Sequence, residues 1–120
     1  MKIAIPVDDS TLNKEVSMSF GRASYFLIYN LETNESEFVL NNAANSQGGA
    51  GIKAAQQIVD LGAKVLITPR LGENAAEIIL KAGINIKKAL ASSVENNIRS
   101  FANNELNDLI DIHAGFHGHH

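Results

Sequence analysis

The spacing of apolar positions changes character along the chain. Residues 2–7, Lys2-Ile3-Ala4-Ile5-Pro6-Val7, form a nearly continuous apolar run. That is the pattern of a strand buried on both faces, ending near Pro6. Asp8-Asp9-Ser10 reads as the turn beyond it, and residues 11–17 lack periodicity and read as loop. Residues 25–29, Tyr25-Phe26-Leu27-Ile28-Tyr29, are rich in aromatic and branched side chains, and residues 36–40 repeat the pattern more weakly. Both read as strands. The polar turn between them, Glu32-Thr33-Asn34-Glu35, is short enough that an antiparallel hairpin is the expected pairing.

A glycine-rich stretch follows, Asn45-Ser46-Gln47-Gly48-Gly49-Ala50-Gly51, and the apolar period then switches to the helical one. Ile52, Ala55, Ile58 and Val59 fall on one face of a helix that starts near Ile52. Gly62 sits where a left-handed C-terminal residue belongs. Residues 64–68 read as a short buried strand. Residues 73–82 read as a second helix with Glu77 and Lys81 spaced to pair, ended by Gly83. Residues 84–87 read as the last strand. Ser92 and Glu95 have capping-box spacing, and Val94, Ile98 and Phe101 give a third helix its stripe. Beyond Asn103 the pattern breaks down. Leu106, Leu109, Ile110 and Ile112 are expected to pack back on the body, with a mobile tail from His113.

The order β-β-β-α-β-α-β-α predicts an α/β domain with a mixed sheet of about five strands and helices on its faces. The domain is expected over residues 1–106, with residues 107–120 as a His-rich tail. In open sheets of this kind ligands sit beyond the carboxyl ends of the parallel strands. Here those ends carry Asp8-Asp9 and Pro69-Arg70-Leu71-Gly72, and the glycine stretch is expected on the same rim.

Composition narrows the chemistry. A chain of 120 residues with 45% hydrophobic and 19% charged residues is one globular domain's worth of sequence. The net charge of −3, with Lys and Arg spread out, gives no footprint for nucleic acid or an anionic membrane. With no Cys, disulfides, thiolate catalysis and protein-held iron–sulfur ligation are excluded. No signal-peptide layout and no membrane-spanning apolar run is present, so the default location is the cytoplasm.

Three features carry candidate chemistry. The glycine stretch opening a helix suits a small anion or anionic cofactor, and is equally an ordinary strand-to-helix passage. It lacks a Walker ending and the full dinucleotide spacing, which leaves a nucleotide-binding regulatory module as an alternative. Asp8 and Asp9 could serve a metal-dependent nuclease, but such a site needs several carboxylates gathered together. All four histidines, His113, His117, His119 and His120, lie at the C-terminus, where imidazoles together could chelate a divalent transition metal.

Several segments together resemble one family. They are Met1-Lys2-Ile3-Ala4-Ile5-Pro6; Val16-Ser17, Phe20-Gly21-Arg22-Ala23 and Tyr25-Phe26; Gly48-Gly49-Ala50-Gly51-Ile52 with Ala54-Ala55-Gln56; and Leu71-Gly72 with Asn74-Ala75. In this order they resemble the dinitrogenase iron-molybdenum cofactor-binding family, from Met1 to about Leu106. The resemblance implies a ribonuclease-H-like three-layer α/β fold. It also implies a non-catalytic role in binding or carrying an iron–sulfur or iron–molybdenum cluster precursor, with cluster donor or acceptor proteins as partners. Carried over by position, the cofactor-facing residues are Ser19, Phe20, Gly21, Arg22, Gly48, Gly49, Gly51, Arg70, Leu71 and Gly72. Ser19 departs from the pattern: family members commonly have His immediately before the Phe-Gly pair, and a hydroxyl is a poorer iron ligand than imidazole.

Overall fold

The computed structural model describes residues 1–109. The strands are β1 (Lys2–Val7), β2 (Tyr25–Asn30), β3 (Glu35–Leu40), β4 (Val65–Thr68) and β5 (Asn85–Lys88). The helices are α1 (Ala50–Asp60), α2 (Glu73–Lys81) and α3 (Val94–Ala102). One mixed sheet has the order β3-β2-β1-β4-β5. β1 pairs antiparallel with β2 and parallel with β4, β2 pairs antiparallel with β3, and β4 pairs parallel with β5. The most apolar run therefore lies at the centre, where both faces are covered.

Alternation along the strands divides the core in two. Ala4, Phe26, Ile28, Leu66 and Ile86 face α1 and α2, meeting Ala54, Ala55, Ile58, Ala75, Ala76 and Ile79. Ile3, Ile5, Val7, Leu27, Val65 and Ile67 face the other way, against Val94 and Ile98 of α3. The result is three layers, compatible with the ribonuclease-H-like arrangement expected. Alanines dominate where α1 and α2 meet, and small residues let two helices approach closely.

The structure corrects several boundaries. α1 begins at Ala50, so Gly51 lies inside the helix rather than in the loop before it. Its buried residues are Ala50, Ala54, Ala55 and Ile58, whereas Ile52, expected on the buried face, is 44% exposed. The cap of α3 is Ser93, not Ser92: the Ser93 hydroxyl accepts from the Asn96 N–H at 3.1 Å. Ser92 instead accepts from the Asn96 side chain. The folded body also runs past residue 106. The Leu109 N–H donates to the Ile86 carbonyl at 3.0 Å, the Lys88 N–H to Asn107, and Lys87 pairs with Asp108 at 2.8 Å. Leu106 and Leu109 are buried as expected. Ile110, Ile112 and the four histidines lie outside the described residues.

Asn97 was not singled out by the pattern, yet it is fully buried. Its Oδ1 accepts from the Leu90 N–H at 2.7 Å, and its Nδ2 donates to the carbonyls of Leu90 and Ser93. Helix α3 is thereby bolted to the loop that leaves β5. Asn97→Ala strands a part-buried N–H and should lower unfolding free energy by about 1–3 kcal/mol. Urea melts check this against exposed Asn96→Ala, which should shift the midpoint less; equal shifts would contradict the bolt.

Candidate functional site

The segment leaving β1 does not pass straight into a helix. The Ser17 N–H donates to the Pro6 carbonyl at 2.9 Å, continuing the edge of β1 beyond its short pairing with β4. The Ser17 hydroxyl then donates to the Ser19 carbonyl, and the Ser19 hydroxyl accepts from the Arg22 N–H at 3.2 Å. These short side-chain bonds wind residues 17–22 into a tight turn. Phe20, buried to 5% exposure, anchors the turn in the core against Phe26, ring centroids 5.4 Å apart.

Gly21 explains its own presence. A Cβ built there would stand 3.0 Å from the Gly51 nitrogen and 3.2 Å from the Ala50 carbonyl carbon. The turn thus lies directly on the backbone of α1's first turn, an approach that a side chain would block. Asn41, buried, fastens the arrangement from behind. Its Nδ2 donates to the carbonyls of Gly21 at 3.1 Å and Ala23 at 2.9 Å, and its Oδ1 accepts from the Ala43 N–H.

The third wall comes from the passage out of β4. Thr68, with no exposed surface, donates through its hydroxyl to the Arg70 carbonyl at 3.0 Å, and Leu71 is buried. Gly72 is the N-cap of α2 in an extended conformation, and Gly49 is the N-cap of α1 in the left-handed one (φ 67°). Neither cap carries a side-chain acceptor. Two helix N-termini therefore present first-turn amides without a side-chain cap, each with the positive end of a peptide dipole. The first turn of α1 contains no acidic residue; that of α2 contains Glu73.

These pieces enclose a cavity of about 440 Å³ lined by residues 18–22, 50–51, 70–72 and Ala75. Ser19, Phe20, Gly21, Arg22, Gly51, Arg70, Leu71 and Gly72, all singled out from the sequence, share this wall. Gly48 and Gly49 do not: both are exposed, and Gly49 contributes a backbone conformation rather than a contact. Met18 and Ala75 line the wall without having been singled out, and so does Ala50, from within the glycine stretch. Asp8 and Asp9 are exposed and lie off the cavity wall. Among the described residues no three His, Cys, Asp or Glu side chains are grouped to hold a metal ion. Among the described residues the cavity wall carries no carboxylate, imidazole or thiol, and what it offers a ligand is amide N–H groups, two guanidinium-bearing residues, the Ser19 hydroxyl and the Met18 thioether.

The two arginines are not equivalent. Arg22 Nη1 donates to the Ala44 carbonyl at 3.0 Å and also to the Ser46 carbonyl. Part of its donor fork is thus spent on the segment that leads into α1. Arg70 is exposed and lines the cavity.

The family profile described as dinitrogenase iron-molybdenum cofactor matches residues 1–104. The apo form of the orange protein from Desulfovibrio gigas superposes with a TM-score of 0.85 at 31% identity, covering 91% of this chain and 92% of that one. An NMR structure of a Thermotoga protein provisionally assigned as NifB superposes at 0.78 with 34% identity, covering 90% and 92%. An uncharacterised protein of Methanocaldococcus jannaschii is 32% identical over 109 residues, 88% of this chain and 89% of its own length.

Gly21→Ala should push residues 17–22 away from α1, because the new methyl meets backbone rather than a yielding side chain. The expected loss is about 1–3 kcal/mol of stability. Gly48→Ala, whose Cβ meets nothing within 4 Å, should melt within about 0.5 kcal/mol of the parent. Thermal unfolding of the two variants side by side checks both statements.

Proposed function

The chain belongs to the dinitrogenase iron-molybdenum cofactor family, and from that we propose that its cavity holds an anionic metal cofactor without transforming it. The observation that carries this reading is the convergence on one cavity of two loops and two helix N-termini without side-chain caps. A sulfide-rich cluster precursor presents negative charge over a compact surface. First-turn amides and guanidinium donors complement such a surface through charge-assisted hydrogen bonds. A cavity of about 440 Å³ is within the usual range for small ligands and cofactors.

The donor set favours cradling over coordination. Without Cys in the chain, and with Ser19 using its hydroxyl to accept from the Arg22 N–H, the described residues of the wall supply no anionic or imidazole ligand to displace those of an intact cluster. That favours a carrier of a preassembled iron–sulfur or iron–molybdenum precursor, loaded by a donor protein and emptied by an acceptor in the cytoplasm. Among the described residues no carboxylate, imidazole or thiol lines the wall, and the role proposed is a non-enzymatic one. The same helix N-termini would also accept a phosphate, so a nucleotide-binding regulatory role is the second reading.

Anaerobic mixing with a synthetic anionic iron–sulfur cluster, followed by gel filtration, tests the first reading. Visible absorption should co-migrate with the protein. Arg70→Ala should weaken retention about tenfold, the order expected for one charge-assisted contact. Colour that never travels with the protein, in a preparation whose thermal stability rises with nucleotides, would replace the carrier reading by the second one.

The histidine tail is proposed as a separate, weaker site for a divalent transition metal, held by His113, His117, His119 and His120. Protein purified without a nickel column should retain such a metal by elemental analysis. A chain ending at Ile112 should not, and equal metal content in the two would remove the tail from the picture.

A further inference from the structure

Arg22 grips a segment that leads straight into the ligand wall. Its Nη1 donates to the carbonyls of Ala44 and Ser46, and residues 47–49 then lead without a break into Ala50 and Gly51, which line the cavity. The local bonds of that segment are turns: the Ala44 N–H donates to Asn41 at 3.2 Å and the Ser46 N–H to Ala43 at 3.0 Å. Residues 47–49 are exposed, and Gly49 stands in the left-handed conformation immediately before the helix. The other cation near the segment, Lys53, reaches the Ser46 hydroxyl only at 3.4 Å and is a poor substitute. Arg22 is thus the long-range tie of this stretch to the turn that carries Phe20 and Gly21.

We propose that Arg22 is a positioning residue that couples occupancy of the cavity to the order of residues 44–49, while Arg70 acts as the direct anion partner. Nη1 is committed to two carbonyls. Nε and Nη2 have no other partner among the described residues, so one planar fork can hold the segment and face an anion at the same time. An anion that meets the free donors stiffens the side chain, and the stiffened side chain holds Ala44 and Ser46 more firmly. By linkage, whatever orders the segment also tightens the ligand. A lysine keeps the charge but has neither the fork nor the reach to serve both sides. This inference rests on the carrier reading of the cavity.

Hydrogen exchange of the full chain tests it in two arms, with the bonded amides of Ala44, Ser46 and Lys53 as reporters. Without ligand, Arg22→Lys should exchange about tenfold faster at these amides, as expected for loss of a charge-assisted tie. Arg70→Lys should match the parent there. With the synthetic iron–sulfur cluster bound, the parent should slow further at the same amides. Arg22→Lys should still bind the cluster, about tenfold more weakly, and show no slowing. Unchanged exchange in unliganded Arg22→Lys overturns the tie, and slowing equal to the parent in loaded Arg22→Lys overturns the coupling. A parent protein that takes up no cluster sinks the carrier reading and the coupling together, and the unliganded arm still decides whether Arg22 holds the segment.

Discussion

Backbone lies on backbone where the turn after β1 meets the first turn of α1, and the rest of the cavity follows from that contact. With Gly21 against Gly51, nothing but main chain separates the two elements. That brings the amides of α1 to the same rim as the Phe20 anchor and the guanidinium of Arg22. A methyl group at residue 21 would be enough to open the seam. The neighbouring helix pair obeys the same economy of side chain: a Cβ at Gly51 would stand 3.8 Å from Ala75. Close packing of α1 on α2 keeps the two helix N-termini side by side, so that their dipoles act on one volume.

The sheet supplies the rigidity that this seam needs. β1 is central and paired on both sides, so its carboxyl end is a fixed point from which residues 17–22 are hung. β4 is central too, and the Thr68 hydroxyl fixes the path of the chain to Arg70. Ligand-holding loops are often the mobile parts of a fold. Here side-chain bonds to main chain, from Ser17, Ser19, Asn41 and Thr68, hold the two loops that line the cavity. Residues 42–49, which lead into α1 without lining the cavity, are tied to the turn by Arg22 and flanked by Gln57, whose side chain bonds Leu40 and Asn42.

Much of this was legible in the residue pattern, for identifiable reasons. Each strand and helix announced itself through its apolar period, and the strand-to-helix passages pointed to one rim because parallel strands share a direction. Phe20, Gly21, Arg70 and Gly72, which line the cavity, drew attention because a large apolar residue, a glycine or an arginine stands out in a polar stretch. What stayed hidden was whatever looks ordinary in one dimension. Asn41 and Asn97 resemble any turn asparagine until burial shows which carbonyls they serve. Ala50 and Ala75 carry no chemical signal and matter only by being small where two helices start. Gly48 and Gly49 looked like the cradle, but α1 begins one residue after Gly49, so the glycine that reaches the wall is Gly51 inside the helix. Arg22 lines the cavity, but nothing in the pattern signalled its bonds to Ala44 and Ser46.

Paramagnetic broadening of backbone amide resonances offers the most direct test that these three walls act as one site. On titration with a synthetic paramagnetic iron–sulfur cluster, amides of residues 19–22, 50–51 and 70–72 should broaden together, at one common cluster concentration, while those of β3 remain sharp. Broadening confined to one of the three segments, or centred away from all of them, would show that the cavity is only a gap between elements and that the cofactor, if bound, sits elsewhere.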